Sequence, residues 1–175
     1  MALATCRECG GEVSDQSRVC LRCGTPQAAA PSSPGFGFEW KSARTVGGYP
    51  LVHIAFGKDS RGKWRVARGI IAIGQFGLGL ITVAQFGVGL LFGFGQFLIG
   101  SAVLAQFAGG LVLGVGQFAT GYAAIGQVVL AYYGLGQTGL GEFLWTTSRR
   151  DGEAVSFFLS WWDYLKHLIV WRGAP

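Results

Sequence analysis

The dominant feature of the hydrophobic pattern is an uncharged stretch spanning residues 69–141. Its 73 residues include no Asp, Glu, Lys, Arg or His. Within it a glutamine returns every ten or eleven residues, always after Gly or Ala, and the first five precede Phe. A fixed period of this kind is the signature of a repeat architecture. The repeated glutamines are Gln75, Gln85, Gln96, Gln106, Gln117, Gln127 and Gln137.

We place the repeat domain at residues 69–144. Its pattern is compatible with two backbone structures, helices or strands. A period near 10.5 residues is close to three helical turns, and the stretch is long enough for an α-helical transmembrane bundle. However, 19 of the 73 residues are Gly, and each disfavours a helix in water by roughly 1 kcal/mol relative to Ala. Short apolar runs followed by tight, Gly-permitted corners suit strands. We therefore predict a mainly β protein, with the helical bundle as the alternative.

The repeat predicts a solenoid-like stack of short strands, and a closed flower- or barrel-like arrangement is the second β alternative. The glutamines would form either a structural ladder or a polar track through the domain. Because nearly every residue is apolar, the outer surface must be apolar too. Such a surface must face lipid, another copy of the chain or a covering segment.

Four cysteines precede the repeat in two Cys-x-x-Cys-Gly motifs, at Cys6 and Cys9 and at Cys20 and Cys23. Two such pairs supply the four thiolates of a closed tetrahedral site, which is structural rather than catalytic. In a reducing cytoplasm, metal binding is favoured over disulfides. Residues 1–25 resemble a zinc ribbon, which implies structural Zn²⁺ at these four cysteines. Whether the ribbon docks an unknown protein partner, binds nucleic acid or only folds is not readable from the sequence.

Between the cysteines and the repeat, residues 26–37 are rich in Pro, Ala, Ser and Gly, which is typical of a flexible linker. Residues 38–68 hold two strand patterns around a polar turn, and we predict a capping β-hairpin. His53 lies in the first strand pattern and is expected to hydrogen-bond within a core. The repeat with its lead-in at 50–57 resembles uncharacterised bacterial proteins with Gly-Gln repeats, a resemblance that implies no activity.

After a polar connector, residues 154–172 predict an amphipathic aromatic helix. Its Trp and Tyr content suits a helix at a membrane interface, and a helix packed over the end of the repeat is the alternative. The candidate membrane-interface residues are Phe157, Phe158, Trp161, Trp162 and Trp171.

The net charge of +5 is carried by the flanks of the repeat, and basic flanks suit anionic lipid headgroups. Few aromatic residues are interleaved with these charges, so nucleic acid is not the expected partner. The chain shows no nucleophile–base pair, open metal site or carboxylate pair, so we expect no enzyme activity. The prediction is a zinc-binding, membrane-associated protein with a cytoplasmic N-terminus. The alternatives are a self-assembling, homo-oligomeric cytoplasmic scaffold and a small helical membrane protein or transporter.

Overall fold

The computed structural model describes residues 3–6, 8–14, 17, 19–26, 36–59 and 62–171, with side chains in the final helix described as far as His167. Most of the predicted linker lies outside these residues. The chain forms two compact units, residues 1–38 with 57–65, and residues 39–56 with 66–175. The elements are β1 Leu3–Thr5, β2 Glu12–Ser14, β3 Gly37–Lys41, β4 Thr45–Val46, β5 Tyr49–Pro50, β6 Val52–Gly57, β7 Val66–Leu140, β8 Phe143–Trp145 and α1 Gly152–Trp171.

The second unit is built around β7, a continuous extended segment of 75 residues. Strands in globular proteins are usually 3–10 residues long, so β7 is extended throughout but repeatedly changes direction. It pairs in parallel with β8, placing Tyr133 opposite Phe143, ten residues further on. The rings of Phe97 and Phe107 stack with centroids 4.3 Å apart, and those of Phe107 and Phe118 with centroids 4.8 Å apart. Residues ten or eleven apart therefore lie one above the other.

This stacking defines a β-solenoid whose coils are ten or eleven residues long. The predicted mainly β fold is confirmed, and the structure favours it over the helical alternative. Among the described residues, no helix combines the length and the apolar character that a membrane crossing requires.

The interior of the solenoid is narrow because its inward positions carry small side chains. Its buried core includes Ala84, Ala105 and Ala119, with Leu98 and Val129 as the larger members. Thr82 is completely buried, and its hydroxyl donates a hydrogen bond to the carbonyl oxygen of Val88 at 2.8 Å. Apart from these few core members, most of the large apolar side chains point outward.

The glycines of the repeat are required where successive coils approach each other. A Cβ atom on Gly116 would collide with the carbonyl oxygen of Ala105 in the preceding coil, and one on Gly95 would collide with that of Ala84. Both glycines directly precede a repeat glutamine. The high glycine content is thus a consequence of backbone contact between coils.

The lead-in differs from the predicted hairpin. Strand β6 pairs in parallel with β7, with Val52 opposite Ile71, whereas a hairpin would pair it with the segment that immediately follows. There the structure has an isolated antiparallel bridge between Lys58 and Trp64. A parallel ladder with the next coil satisfies the backbone groups along β6, so β6 becomes a coil of the solenoid.

His53 is buried within this first coil. Its Nδ1 accepts a hydrogen bond from the N–H of Arg68 at 2.7 Å, so Nε2 carries the proton and donates to Glu39 Oε1 at 3.2 Å. This arrangement agrees with the expected core role of the histidine.

The other end of the solenoid is covered by α1. Asp151, which precedes the helix, accepts a hydrogen bond from the N–H of Leu144 at 2.7 Å and pairs with Arg149 at 2.9 Å. The ring of Phe157 stacks on Tyr133 with centroids 4.2 Å apart, and Ala154 and Phe158 are buried. The first turns of the helix therefore pack on the final coils.

We predict that Gly116→Ala destabilises the solenoid, because the added methyl group meets backbone rather than a movable side chain. Overpacking of this kind costs about 1–3 kcal/mol, and each kcal/mol lowers the melting temperature by roughly 2–4 °C in a chain of this size. Thermal unfolding followed by circular dichroism measures the change. Gly152→Ala is the matched control, since nothing lies within 4 Å of its added Cβ. Equal melting temperatures for the two variants would contradict the coil contact.

We predict that the stabilisation from Asp151 depends on pH. The hydrogen bond from the Leu144 N–H, helped by Arg149, lowers the pKa of Asp151 below its usual value. A depressed folded-state pKa gives stability that is present above the unfolded pKa, near 4, and lost as pH falls through the folded value. At pH 7 the unsubstituted chain should therefore melt higher than Asp151→Asn, and the difference should shrink below about pH 4. A difference independent of pH would show that the charge contributes nothing.

Candidate metal centre

Each cysteine pair lies in a tight turn, and the two turns have the same hydrogen bonds. Gly10 N–H donates to the carbonyl oxygen of Cys6 at 3.0 Å, and Gly24 N–H donates to that of Cys20 at 2.8 Å. Both glycines have left-handed backbones, with φ of 69° and 72°. Glycine adopts this conformation at little steric cost, which explains its place directly after each pair.

A small sheet supports the first turn. Strands β1 and β2 are antiparallel, with Ala4 opposite Val13. Val13 is buried in a cluster with Cys6 and Cys20, and Cys9 packs against that cluster. Around the second turn, Val19 and Pro26 form an antiparallel bridge. The described core of this segment is thus largely made of the cysteines themselves.

The four sulfur atoms converge on one point. All lie within 4.8 Å of one another, and the pairs Cys6–Cys23 and Cys9–Cys20 are each 3.7 Å apart. Tetrahedral coordination with metal–sulfur bonds of about 2.3 Å places sulfur ligands about 3.8 Å apart. The four cysteines are free thiols. The cluster therefore fits a single metal ion, and the predicted ligand set is brought together.

The pKa values of Cys23, Cys6 and Cys9 are shifted in different directions by their hydrogen bonds and burial. The Thr25 hydroxyl and N–H hydrogen-bond to Cys23 and lower its pKa to about 6. The Cys9 N–H lowers the pKa of Cys6. Cys9 receives a hydrogen bond from the Gly11 N–H that favours its thiolate, but its contacts with Cys23 and burial prevail and raise its pKa to about 11. Since the thiolate is the metal ligand, a bound cation would replace the shared protons.

Thr25 was missed by reasoning from the sequence. Its hydroxyl lies 3.3 Å from the Cys23 sulfur. Hydrogen-bond partners of metal ligands orient those ligands. In the sequence, Thr25 could have been found as a hydroxyl residue two positions after the last cysteine.

The repeat glutamines lie along one edge of the solenoid, and we call this row the glutamine edge. Gln75 is partly buried and the other six are exposed. Shallow grooves run beside the row, one of them lined by Gln117, Gln127 and Gln137 together with Val115. A structural ladder and a polar track both stay predictions for these residues.

The candidate membrane-interface residues separate into two groups. Phe158 is 6% exposed, and Phe157 stacks on Tyr133, so both pack on the solenoid. Trp161 and Trp162 are 38% and 59% exposed. The side chain of Trp171 lies outside the described residues.

Comparison of the chain with protein-family models, with curated proteins and with solved structures finds no match in any of the three.

We predict that the purified chain retains a single metal ion and that Cys20→Ser removes it. Loss of a buried ligand should cost more than the roughly 10–100-fold in affinity that loss of an outer partner costs. Elemental analysis after gel filtration, followed by chelator competition, measures both content and affinity. Leu21→Ser is the control, because Leu21 is 100% exposed beside the site. Undiminished metal content in Cys20→Ser would show that the four cysteines do not act as one site.

Proposed function

We propose that this chain is a non-enzymatic, zinc-binding protein whose apolar solenoid associates with a lipid membrane. Four sulfur atoms at the separations of tetrahedral coordination suit Zn²⁺ or an iron–sulfur centre. Because the four cysteines leave no open coordination position, structural zinc is favoured. Free thiols persist in a reducing compartment, so the N-terminal segment would lie in the cytoplasm. There it is available to a protein partner.

The observation that carries the membrane proposal is the surface opposite the glutamine edge. Residues five or six positions after a glutamine lie half a coil away, and we call this row the apolar edge. Leu91 is 60% exposed, Leu111 73% and Val112 59%. Large uncovered apolar surfaces on proteins mark contacts with lipid or with other proteins. The large apolar side chains of the apolar edge are Leu80, Ile81, Leu90, Leu91, Leu111, Val112, Tyr122 and Tyr132, and Ser101 and Ala102 hold the same positions in the coil that follows Gln96.

The glutamine edge differs from the apolar edge in its exposed amides, and exposed rings such as those of Phe86 and Phe97 stand beside these amides. Hydrocarbon can accept the apolar edge because the coils pair with each other, which satisfies their backbone hydrogen bonds. The glutamine amides on the opposite edge hydrogen-bond with water or headgroups. A solenoid lying in the interface would thus place each edge in the medium that suits it.

The projecting part of α1 adds a second apolar surface. From Leu159 to His167 every described side chain is exposed, including Trp162 at 59% and Tyr164 at 67%. Lys166 lies over the ring of Trp162, 5.8 Å from its centroid. Trp and Tyr favour the headgroup region, where an aromatic body and a polar tip are both accommodated.

Self-association is the second candidate function. A groove beside the glutamine edge has Gly116, Gly126 and Gly136 among its lining residues and an apolar ridge that includes Ile125. The same ridge of a second copy could enter such a groove, and the stretch carries no charge that would oppose it.

We predict that the chain binds vesicles of phosphatidylcholine and phosphatidylglycerol and that Leu111→Lys with Val112→Lys weakens binding at least tenfold. Burying an apolar side chain contributes about 1.5–3 kcal/mol, and 1.4 kcal/mol is a factor of ten in affinity. Co-sedimentation with sucrose-loaded vesicles measures the bound fraction.

The control adds the same charges to the opposite edge, as Gln106→Lys with Gln117→Lys, and should bind at least as well as the unsubstituted chain. If the unsubstituted chain stays in the supernatant with vesicles but sediments as an oligomer alone, the membrane proposal fails and self-association replaces it. Equal weakening by both double substitutions would also overturn the assigned orientation.

A further inference from the structure

A short hairpin stands over the first coils of the solenoid. Strands β4 and β5 pair with Val46 opposite Tyr49. Their turn is Gly47-Gly48, with φ of 58° and 82°, and two successive positive φ values are typical of a type I′ hairpin turn. The solenoid coils do not need this hairpin for their own pairing, so its position calls for a separate explanation.

The base of the hairpin rests directly on the backbone of the first coil. A Cβ atom on Gly69 would lie 2.8 Å from the carbonyl oxygen of Pro50, so only glycine allows the approach. The hairpin tip then stands beside the outward side chains of the neighbouring coils. The result is a cleft between the hairpin and the solenoid.

The cleft encloses about 450 Å³. Val46 and Tyr49 contribute from the hairpin, and Ile70, Leu78 and Leu90 from three successive coils. This volume lies in the range of small-molecule sites, which are mostly apolar with a few placed polar groups. The cleft is therefore large enough for a ligand and is open to receive one.

Its walls are apolar and uncovered. Val46 is 55% exposed, Tyr49 59%, Leu78 47% and Leu90 57%. A ligand with an apolar chain would remove these surfaces from water, at roughly 25 cal/mol per Å² of area buried.

Arg68 is the charged residue among the described residues that line the cleft. Its backbone is fixed because its N–H donates to the buried His53 at 2.7 Å. Its side chain is exposed and, within the described part of the chain, takes part in no ion pair. Of the lining residues that the structure describes, none beside Arg68 carries a carboxylate. The guanidinium is thus available to an anionic group, which it can bind through two parallel hydrogen bonds.

We propose that this cleft binds a single-chain anionic amphiphile. The apolar chain lies between the hairpin and Leu78, and a carboxylate or phosphate head binds Arg68. A cationic amphiphile is disfavoured because Arg68 would repel its head. The site takes one molecule. Leu80 and Leu90 belong both to the cleft lining and to the apolar edge, so the cleft lies where that edge meets the hairpin.

Equilibrium dialysis of the intact zinc-loaded chain against radiolabelled hexadecanoate, below its micellar concentration and without vesicles, tests the proposal. We expect saturable binding of one molecule per chain. Leu78→Glu and Arg68→Gln should each weaken it at least tenfold. The matched controls are Leu130→Glu and Arg150→Gln. Leu130 also lies three residues after a repeat glutamine and is 51% exposed, and Arg150 lies over Trp145 at the other end of the solenoid.

Hexadecyl phosphate and hexadecyltrimethylammonium complete the experiment. Tighter binding of either the carboxylate or the phosphate identifies the head, while equally tight binding of the cation would overturn the role of Arg68. Equal weakening by Leu78→Glu and Leu130→Glu would show adsorption along the whole solenoid and overturn the cleft. Circular dichroism melting verifies that each variant is folded. Because no vesicles are present, this result is independent of the membrane proposal.

Discussion

The structure depends on the close approach of successive backbone coils. Parallel strands pair at about 4.8 Å, and a coil of ten or eleven residues leaves little room inside. Where the chain turns into the glutamine edge, a side chain would strike the carbonyl oxygen of the coil before it, as at Gly95 and Gly116. The period, the glycine content and the alanine-rich core all follow from this constraint.

The same constraint forces large apolar side chains outward. The coils bury mainly alanines such as Ala105, with a few larger residues such as Leu98, and most of their other large apolar residues, such as Leu111, are exposed. In an ordinary domain such residues would form the core and the surface would be charged. Here the core consists of paired backbones and small residues. The large apolar side chains lie on the outer surface, where lipid could cover them. The narrow coil thus links the repeat to the proposed association with lipid.

The features that follow from one local rule are those that the amino-acid sequence predicts correctly. The glutamine period predicts the coil, and the cysteine spacing predicts the cluster, because two short turns suffice to bring four sulfur atoms together. Features that depend on pairing between distant residues are not predictable in this way. Strand β6 pairs with residues 71–74 of the next coil, which no local pattern around the turn after β6 indicates. The cleft at Arg68 combines a hairpin with three coils, and only the stacking brings these together.

In the aromatic helix, one apolar periodicity serves two purposes: its first residues pack on the solenoid, and the residues that follow them are exposed. Phe157 and Phe158 share the apolar periodicity of the residues that follow them, yet their contacts with the final coils cover one end of the repeat. Asp151 fixes the start of this cover through the Leu144 N–H. A covered end offers no free strand edge for end-to-end stacking. The sides of the solenoid and the projecting helix carry the exposed apolar side chains that lipid or protein could cover.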